Sequence, residues 1–298
     1  MDRGELKRRS HPAGLVANGC IRNSLEDVRH GINWAAETSP EVLTEALKRG
    51  ISGAFQAENE EIVMYLVTEA NVPMEEINPY QLSIIQSLSL WEAVIQRGWD
   101  INQRTKSHGG LCLRLRLIDF VCYKKDLVEW LLEHGATVDD GEKDTVKCPP
   151  LLQSEAARGL VSIYKRLQEL GAPHGKRELH LAVERASGPR PYMEMVRFLV
   201  DEVGRDVNEL DGDEYFNDRD SAISVGPPLW WAVQKSEGGE EVVRFLLERG
   251  ADPYLVGANP DLPGHDLFTI AERQGNEGAL AVLQEWKDGK IVVQKKDS

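Results

Sequence analysis

The sequence predicts an all-α protein, an α-solenoid of about eight helix-turn-helix repeats joined by short hairpin or loop connections. Three observations support this fold class. An apolar pattern typical of an amphipathic helix recurs along the 298 residues. A glycine follows most copies of the pattern, and a second helical signature precedes several of them. Self-similarity of this kind is the mark of a repeat architecture, in which each unit buries its apolar face against its neighbours.

The clearest copy of the pattern is EEVVRFLLERGADP, residues 240–253. Its apolar residues at 242, 243, 246 and 247 fall on one face of a helix. Gly250 predicts the helix end, because a left-handed residue after a helix is most easily a glycine. Six further copies occur at 42–47 before Gly50, 62–67 before Ala70, 90–95 before Gly98, 127–132 before Gly135, 163–167 before Gly171 and 195–200 before Gly204, where the glycine comes one residue late.

A different signature predicts the partner helix of each pair. The segments 31–37 (GINWAAE), 177–183 (RELHLAV) and 227–233 (PPLWWAV) align on Ile32, Leu179 and Leu229, and each continues to an alanine. The proline before Leu229 suits a first helical turn, where its missing N–H has no partner to lose. Successive glycines from Gly98 to Gly250 are spaced by 37, 36, 33 and 46 residues, so the predicted units are uneven in length.

The segments LHLAV, EEVVRFLLERGADP and LLEHGATV resemble the ankyrin repeat. The resemblance extends over residues 24–287 and is strongest at 177–255, although no intact T-P-L-H motif occurs. It implies that first helices and hairpins line a concave binding side, with second helices behind them. We therefore predict a flexible tail over 1–23, a repeat array over 24–287 with an insertion at 211–226, and a second tail over 288–298.

The charge of the chain argues against direct binding to nucleic acid. Asp and Glu outnumber Lys and Arg by 49 to 35, which gives a formal charge of −14 and repels phosphate backbones. No apolar run is long enough for a membrane span, and no signal peptide is evident at the start. The four cysteines are widely spaced without a CxxC pair, as is typical of free thiols in a reducing compartment. We expect a cytoplasmic and/or nuclear protein.

The insertion and the helix after it supply the candidate binding residues. Residues 211–226 hold five carboxylates around Tyr215 and Phe216, and they form either a solvated loop or a finger that presents two aromatic rings to a partner. A calcium loop is excluded because aromatic rings stand at its fifth and sixth places. The resemblance places Trp230 where the family has its turn histidine, which His180 retains, and implies packing for Trp231. Trp230 then either fills space near the insertion or shows its ring to the groove. The predicted partner-binding set is Tyr215, Phe216, Trp230, Gln234, Lys235 and Arg185.

No catalytic or metal-binding motif stands out in the sequence. The seven histidines lack metal-ligand spacing, and Ser162 with Lys165 matches S-x-x-K without its companion motifs. We predict a non-catalytic, monomeric scaffold or adaptor that binds a partner protein and needs no cofactor. One alternative is a co-regulator that acts through a transcription factor without touching DNA. Another is an enzyme or small-molecule binder with a groove pocket near Trp230.

Overall fold

The structure is a computed structural model that describes residues 11–106, 113–139, 141, 148–158, 160–187, 193–211, 226–235, 239–255 and 266–294. Sixteen α-helices occupy these residues, and no strand occurs among them. The all-α prediction is therefore confirmed, and these helices are compatible with a helical repeat array. The chain divides into two compact units, residues 1–121 with 128–136 and residues 122–127 with 137–298. The limits 24–287 given above for the repeat array stay a prediction.

The first unit begins with three helices that pack closely on one another. Helices α1 and α2 pack on each other and on α3, and the contacts bury Val16, Cys20 and Ile32. The unit contains α1 (Pro12–Ile21), α2 (Leu25–Thr38), α3 (Pro40–Gln56), α4 (Glu60–Thr68), α5 (Pro79–Ile84), α6 (Leu88–Gln96) and α7 (Leu117–Val121). Helix α8 (Lys125–Glu133) contains residues of both units.

The second unit consists of four helix pairs. Its helices are α9 (Leu151–Arg158), α10 (Val161–Glu169), α11 (Glu178–Ala186), α12 (Met193–Arg197), α13 (Pro228–Val233), α14 (Glu240–Glu248), α15 (Leu267–Gln274) and α16 (Glu277–Lys287). Within each pair the two helices pack together, and α9, α11, α13 and α15 also pack successively on one another. We call these four the first-helix layer and their partners α10, α12, α14 and α16 the second-helix layer.

Glycine ends the predicted helices at five positions. The five glycines are Gly98, Gly135, Gly171, Gly204 and Gly250. Each has a left-handed φ between +84° and +97°, a conformation that costs glycine little. At four of these helix ends the residue after the glycine donates its N–H to the carbonyl five residues earlier, as Ala251 does to Leu246 at 2.9 Å. These predicted helix ends are confirmed.

Gly204, which follows the apolar pattern of residues 195–200 one residue late, is accommodated by a wider helical turn. After Arg197 the backbone continues as a π-helix over Phe198–Val203, which takes up one more residue than an α-turn. Consequently Arg205 N–H donates to the carbonyl of Leu199, six residues earlier, at 2.9 Å. The apolar residues Phe198, Leu199 and Val200 stay buried despite the extra residue.

Gly50 was predicted to end a helix, and this prediction is wrong. Helix α3 runs through Gly50 and buries Ile51, Ala54 and Phe55 beyond it. Gly50 is needed for close packing instead, because a Cβ there would meet Cγ1 of Val16 at 2.9 Å. The apolar pattern of residues 42–47 thus belongs to one long helix and not to a short helix that ends in a turn at Gly50.

Both predicted tails are wrong in part. Residues 12–21 form α1, which is buried at Ala13, Val16 and Cys20 and is therefore part of the first unit's core. At the other end, Ile291 is buried and the Gln294 N–H donates to the Glu248 carbonyl at 2.7 Å, so residues 288–294 pack on the end of α14. Residues 1–10 and 295–298 lie outside the described part of the chain.

Candidate functional site

The first helices of the second unit share one register. In α9, α11, α13 and α15 a partly exposed residue is followed by two buried residues. Four residues after it comes another solvent-accessible position, which lies on the same side of the helix in α9, α11 and α15 and two residues past the helix end in α13. The partly exposed residues are Ser154, Leu181, Trp231 and Thr269. This repeated side is the part of the first-helix layer that faces solvent. Two of the six residues predicted to bind a partner stand at these positions: Arg185 in α11 and Lys235 just past the end of α13.

The residue before the partly exposed one anchors the turn that leads into the next first helix. In α9 it is Gln153, whose Oε1 accepts a hydrogen bond from the Arg177 N–H at 3.1 Å. In α11 it is His180, whose Nε2 lies 2.9 Å from the Glu209 carbonyl oxygen. Burial lowers the pKa of His180 to about 4, so its imidazole is neutral at physiological pH. These contacts agree with the structural role that the resemblance implied for His180.

Trp230 occupies the same anchoring position in α13 and is fully buried, with 0% exposure. Its ring lies against Gly226, where a Cβ would come within 2.8 Å of Cδ2. The predicted exposure of Trp230 to a partner is therefore wrong, and its ring does not line an open groove for a small molecule. The indole takes the place of a turn histidine as a filler of space, and the lack of a side chain at Gly226 makes room for it.

Trp231 is the member of the tryptophan pair that reaches the surface. The two rings meet edge to face at 5.1 Å, and Trp231 is partly exposed. Its Nε1 donates to Oδ2 of Asp211 at 3.1 Å, and the guanidinium of Arg177 lies 5.4 Å from the centre of its ring. Cation–π contact and the hydrogen bond together fix the orientation of the indole.

Asp211 is a buried anchor, although it is the first residue of the acidic insertion. Its Oδ1 accepts the Gly226 N–H at 2.8 Å, and its Oδ2 lies 3.4 Å from Nε of Arg177. The Asp211 N–H in turn donates to the Gly226 carbonyl at 3.4 Å. The two ends of the insertion are thereby tied together beside Trp231. Sequence reasoning missed this role, because Asp211 looked like one more carboxylate in an acidic loop.

The other predicted binding residues are divided by the structure. Arg185 is exposed near the end of α11, and Lys235 places its Nζ 3.1 Å from Oε1 of Glu184. Gln234 is partly exposed, and its Nε2 is buried without a hydrogen-bond partner. Tyr215 and Phe216 lie outside the described residues. The structure therefore leaves Arg185 and Lys235 accessible to solvent, and their binding role stays a prediction. Trp231, for which packing was expected, is partly exposed.

A buried network that the sequence did not reveal fixes the start of α11. Glu178 is fully buried and accepts hydrogen bonds from the Gly175 N–H at 2.7 Å, from Tyr164 Oη at 2.5 Å and from Nη2 of Arg205 at 2.6 Å. Burial and the adjacent Glu178 carboxylate raise the pKa of Tyr164. Because all three donors converge on one carboxylate, we assign the network to holding α11 in place.

In the described part of the chain every helix is too short or too polar to span a membrane. No group of three His, Cys, Asp or Glu side chains there has the arrangement of a metal site.

Comparison with known proteins identifies the repeat that contains Trp231. The ankyrin repeat model matches residues 227–258, which cover α13, α14 and the segment after them. A search of the curated proteins finds no similar sequence. One repeat is thus matched, as is expected when the other units have diverged from the family pattern. The match shows an ankyrin repeat at residues 227–258 and supports an ankyrin-repeat protein with divergent repeats.

Proposed function

We propose that this protein is a scaffold or adaptor that binds a partner protein through the solvent-exposed side of its first-helix layer. Ankyrin repeats are protein–protein interaction modules and are typically non-catalytic. The observation that supports this surface is Trp231, a partly exposed indole held in one orientation by Asp211 and Arg177. Tryptophan and arginine are the residues that most often dominate the binding energy of protein interfaces. A fixed ring also loses little side-chain entropy when a partner covers it.

The proposal is tested by crosslinking at defined positions. A photoreactive phenylalanine analogue replaces Leu181 on α11, and in a matched control it replaces Glu202, whose side chain is 60% exposed in the second-helix layer. We expect an adduct from native cell extract at position 181 that excess unlabelled protein prevents. We expect none at position 202. Equal adducts at both positions, or an adduct at 202 alone, would place binding elsewhere.

A substitution adds a second readout to the same experiment. Trp231→Ala removes the fixed ring, whereas Trp34→Ala removes a ring that is 36% exposed in the first unit. We expect the adduct at position 181 to fall at least tenfold with Trp231→Ala and to remain with Trp34→Ala. The same adduct yield with both variants would show that Trp231 does not contribute to binding.

The narrower parts of the proposal concern location and assembly. We propose a monomer, for which light scattering should give the chain mass of 33.4 kDa. A role as a transcription co-regulator also requires entry into the nucleus. Strictly cytoplasmic fluorescence of a tagged copy under all growth conditions would exclude that role.

A further inference from the structure

We propose that Leu181 and Trp231 form a binding place for one large apolar side chain of the partner. This inference rests on the proposed function and adds the chemistry of the group that the partner presents. Leu181 on α11 and Trp231 on α13 occupy the same position of neighbouring first helices, which pack on each other. Packed helices lie about 8–10 Å apart, so the two side chains stand next to each other on the solvent side. We call these two side chains and the surface between them the apolar niche.

The fold does not require apolar residues at this position. The equivalent residues of the flanking first helices are Ser154 on α9 and Thr269 on α15, which are also partly exposed. Each is followed by two buried residues, as in α11 and α13, so the same register forms around a polar residue. Contacts with Trp230 and Arg177 leave part of the Trp231 ring exposed. Neighbouring apolar side chains at solvent-accessible positions are typical of a binding surface.

An ion pair closes each end of the niche along the helix axis. Before Leu181, Nε of Arg177 lies 3.4 Å from Oδ2 of Asp211. After Leu181, Nζ of Lys235 lies 3.1 Å from Oε1 of Glu184. Arg177 and Glu184 are seven residues apart in the sequence. At the helical rise this separates the two ion pairs by about 10 Å, which leaves room for one side chain between them.

The charges of these two pairs are satisfied within the chain, so they do not select a charged ligand. Asp211 is 2% exposed and also accepts the Trp231 indole N–H and the Gly226 N–H. The backbone of Lys235 is held by Asn276, whose Nδ2 donates to the Lys235 carbonyl at 2.8 Å. The two pairs together carry no net charge. An apolar centre surrounded by contacts that exclude water is the arrangement of a binding hot spot.

An apolar group fits the niche better than a carboxylate or an amide does. The Trp231 indole has one N–H donor, which Asp211 already accepts, and the Leu181 side chain has no donor. A polar group placed between these side chains would lose its hydration without gaining a hydrogen bond. A leucine or phenylalanine side chain loses no hydrogen bond there, and its burial is favourable.

Nuclear magnetic resonance of the full chain with nitrogen-15 tryptophan tests the ligand class directly. The Trp231 indole signal is the one lost in Trp231→Phe, and Trp34, which is 36% exposed in the first unit, is the control ring. The probes are N-acetyl-leucinamide and the same derivatives of aspartate and serine, at up to about 20 mM, because so small a ligand binds weakly. We expect the leucine probe to shift the Trp231 signal to saturation and the other two to leave it in place. Equal shifts of Trp231 and Trp34, or the same Trp231 shift with all three probes, would overturn the proposal.

Matched leucine variants localise the binding. Leu181→Asn removes one apolar side of the niche, and Leu170→Asn makes the same change at a residue that is 40% exposed just after α10. We expect the Trp231 shift at a fixed concentration of the leucine probe to fall by about threefold or more with Leu181→Asn. It should stay within about a quarter of its original value with Leu170→Asn, and both variants should be folded by circular dichroism. Equal losses in the two variants would overturn the proposal.

Charge variants separate apolar from ionic recognition. Glu184→Lys with Lys235→Glu reverses the ion pair, and Arg185→Gln removes the exposed cation that follows Glu184. We expect the Trp231 shift and the adduct at position 181 to stay within twofold in both variants. A greater loss of the adduct in either variant would show that charge recruits the partner and would overturn the proposal. If the leucine probe does not shift Trp231 while crosslinking at position 181 is retained, the apolar ligand is refuted and the proposed function stands.

Discussion

Glu155 provides the sharpest test of how the second unit is packed. Its side chain is fully buried in α9, and Oε1 accepts the Leu160 N–H at 3.0 Å. Burial raises the pKa of Glu155 to about 8, which outweighs the hydrogen bonds from the Cys122 thiol and from Leu160 and the attraction of Arg158. The folded protein therefore holds a proton on Glu155 at neutral pH, whereas the unfolded chain, with a carboxyl pKa near 4.5, does not.

The sign of the pH effect follows from this difference in proton binding. Between the unfolded and folded pKa values the folded state binds more protons, so the free energy of unfolding falls as the pH rises. Each pH unit costs about 1.4 kcal/mol, and the loss from pH 5 to pH 8 amounts to about 3–4 kcal/mol. Glu155→Gln retains an oxygen to accept from Leu160 and has no proton to lose. The variant should therefore lack this part of the pH dependence.

The assay is urea unfolding of both proteins at pH 5 and pH 8, followed by circular dichroism. We expect the free energy of unfolding of Glu155→Gln, relative to the original protein, to increase by about 3 kcal/mol between the two pH values. Comparing one variant at two pH values removes any constant cost of burying the amide. Glu169→Gln, at a side chain that is 70% exposed, serves as the control and should show no such change. Parallel pH profiles for Glu155→Gln and the original protein would refute the reasoning.

Three further predictions test the fold, each by denaturant unfolding. Gly31→Ala should lower the stability of the first unit by about 1–3 kcal/mol. The added Cβ would lie 2.6 Å from Cγ2 of Val16 and 3.2 Å from the Pro12 carbonyl oxygen. An unchanged free energy of unfolding would contradict the packing of α1. Leu199→Ala should cost about 2–5 kcal/mol, since Leu199 is fully buried, and a cost below 1 kcal/mol would be inconsistent with its burial. Deletion of the exposed Glu202 should change the free energy of unfolding by no more than about 1 kcal/mol, because it restores an α-turn before Gly204. Deletion of Arg244 should disrupt α14. Equal destabilisation by both deletions would count against the π-helical turn.

The helix pattern could be predicted from sequence where one amphipathic face and one glycine define a helix. Val242, Val243, Leu246 and Leu247 with Gly250 are such a case, and the structure confirms the helix and its end. Gly50 has the same apparent spacing, yet α3 continues through it. The apolar period resumes at Ile51, Ala54 and Phe55, and that continuation was the available signal that Gly50 lies inside a helix.

Helix α1 was missed for a different physical reason. Its residues Ala13, Val16, Gly19 and Cys20 are buried, and no strongly polar face balances them. A short helix without an amphipathic stripe resembles an apolar loop in sequence. Pro12 in the first turn was the remaining signal of a helix start, and by itself it does not distinguish a helix from a turn.

The orientation of the tryptophan pair could not be predicted from the sequence. The repeat alignment left Trp230 either filling space or facing the groove and implied packing for Trp231, whereas the structure buries Trp230 fully and leaves Trp231 partly exposed. Which ring is buried depends on Gly226, which leaves room for Trp230, and on Asp211, which accepts from the Trp231 indole. Both residues lie at the ends of the insertion, so their approach to α13 is a tertiary contact that helix periodicity does not encode.

The central claim is that a partner protein binds the solvent-exposed side of the first-helix layer of the second unit. Its most direct test is crosslinking of the partner from native cell extract at position 181, with position 202 as the control. We predict an adduct at position 181 that excess unlabelled protein prevents, and none at position 202. Equal adducts at both positions, or an adduct at position 202 alone, would contradict the claim.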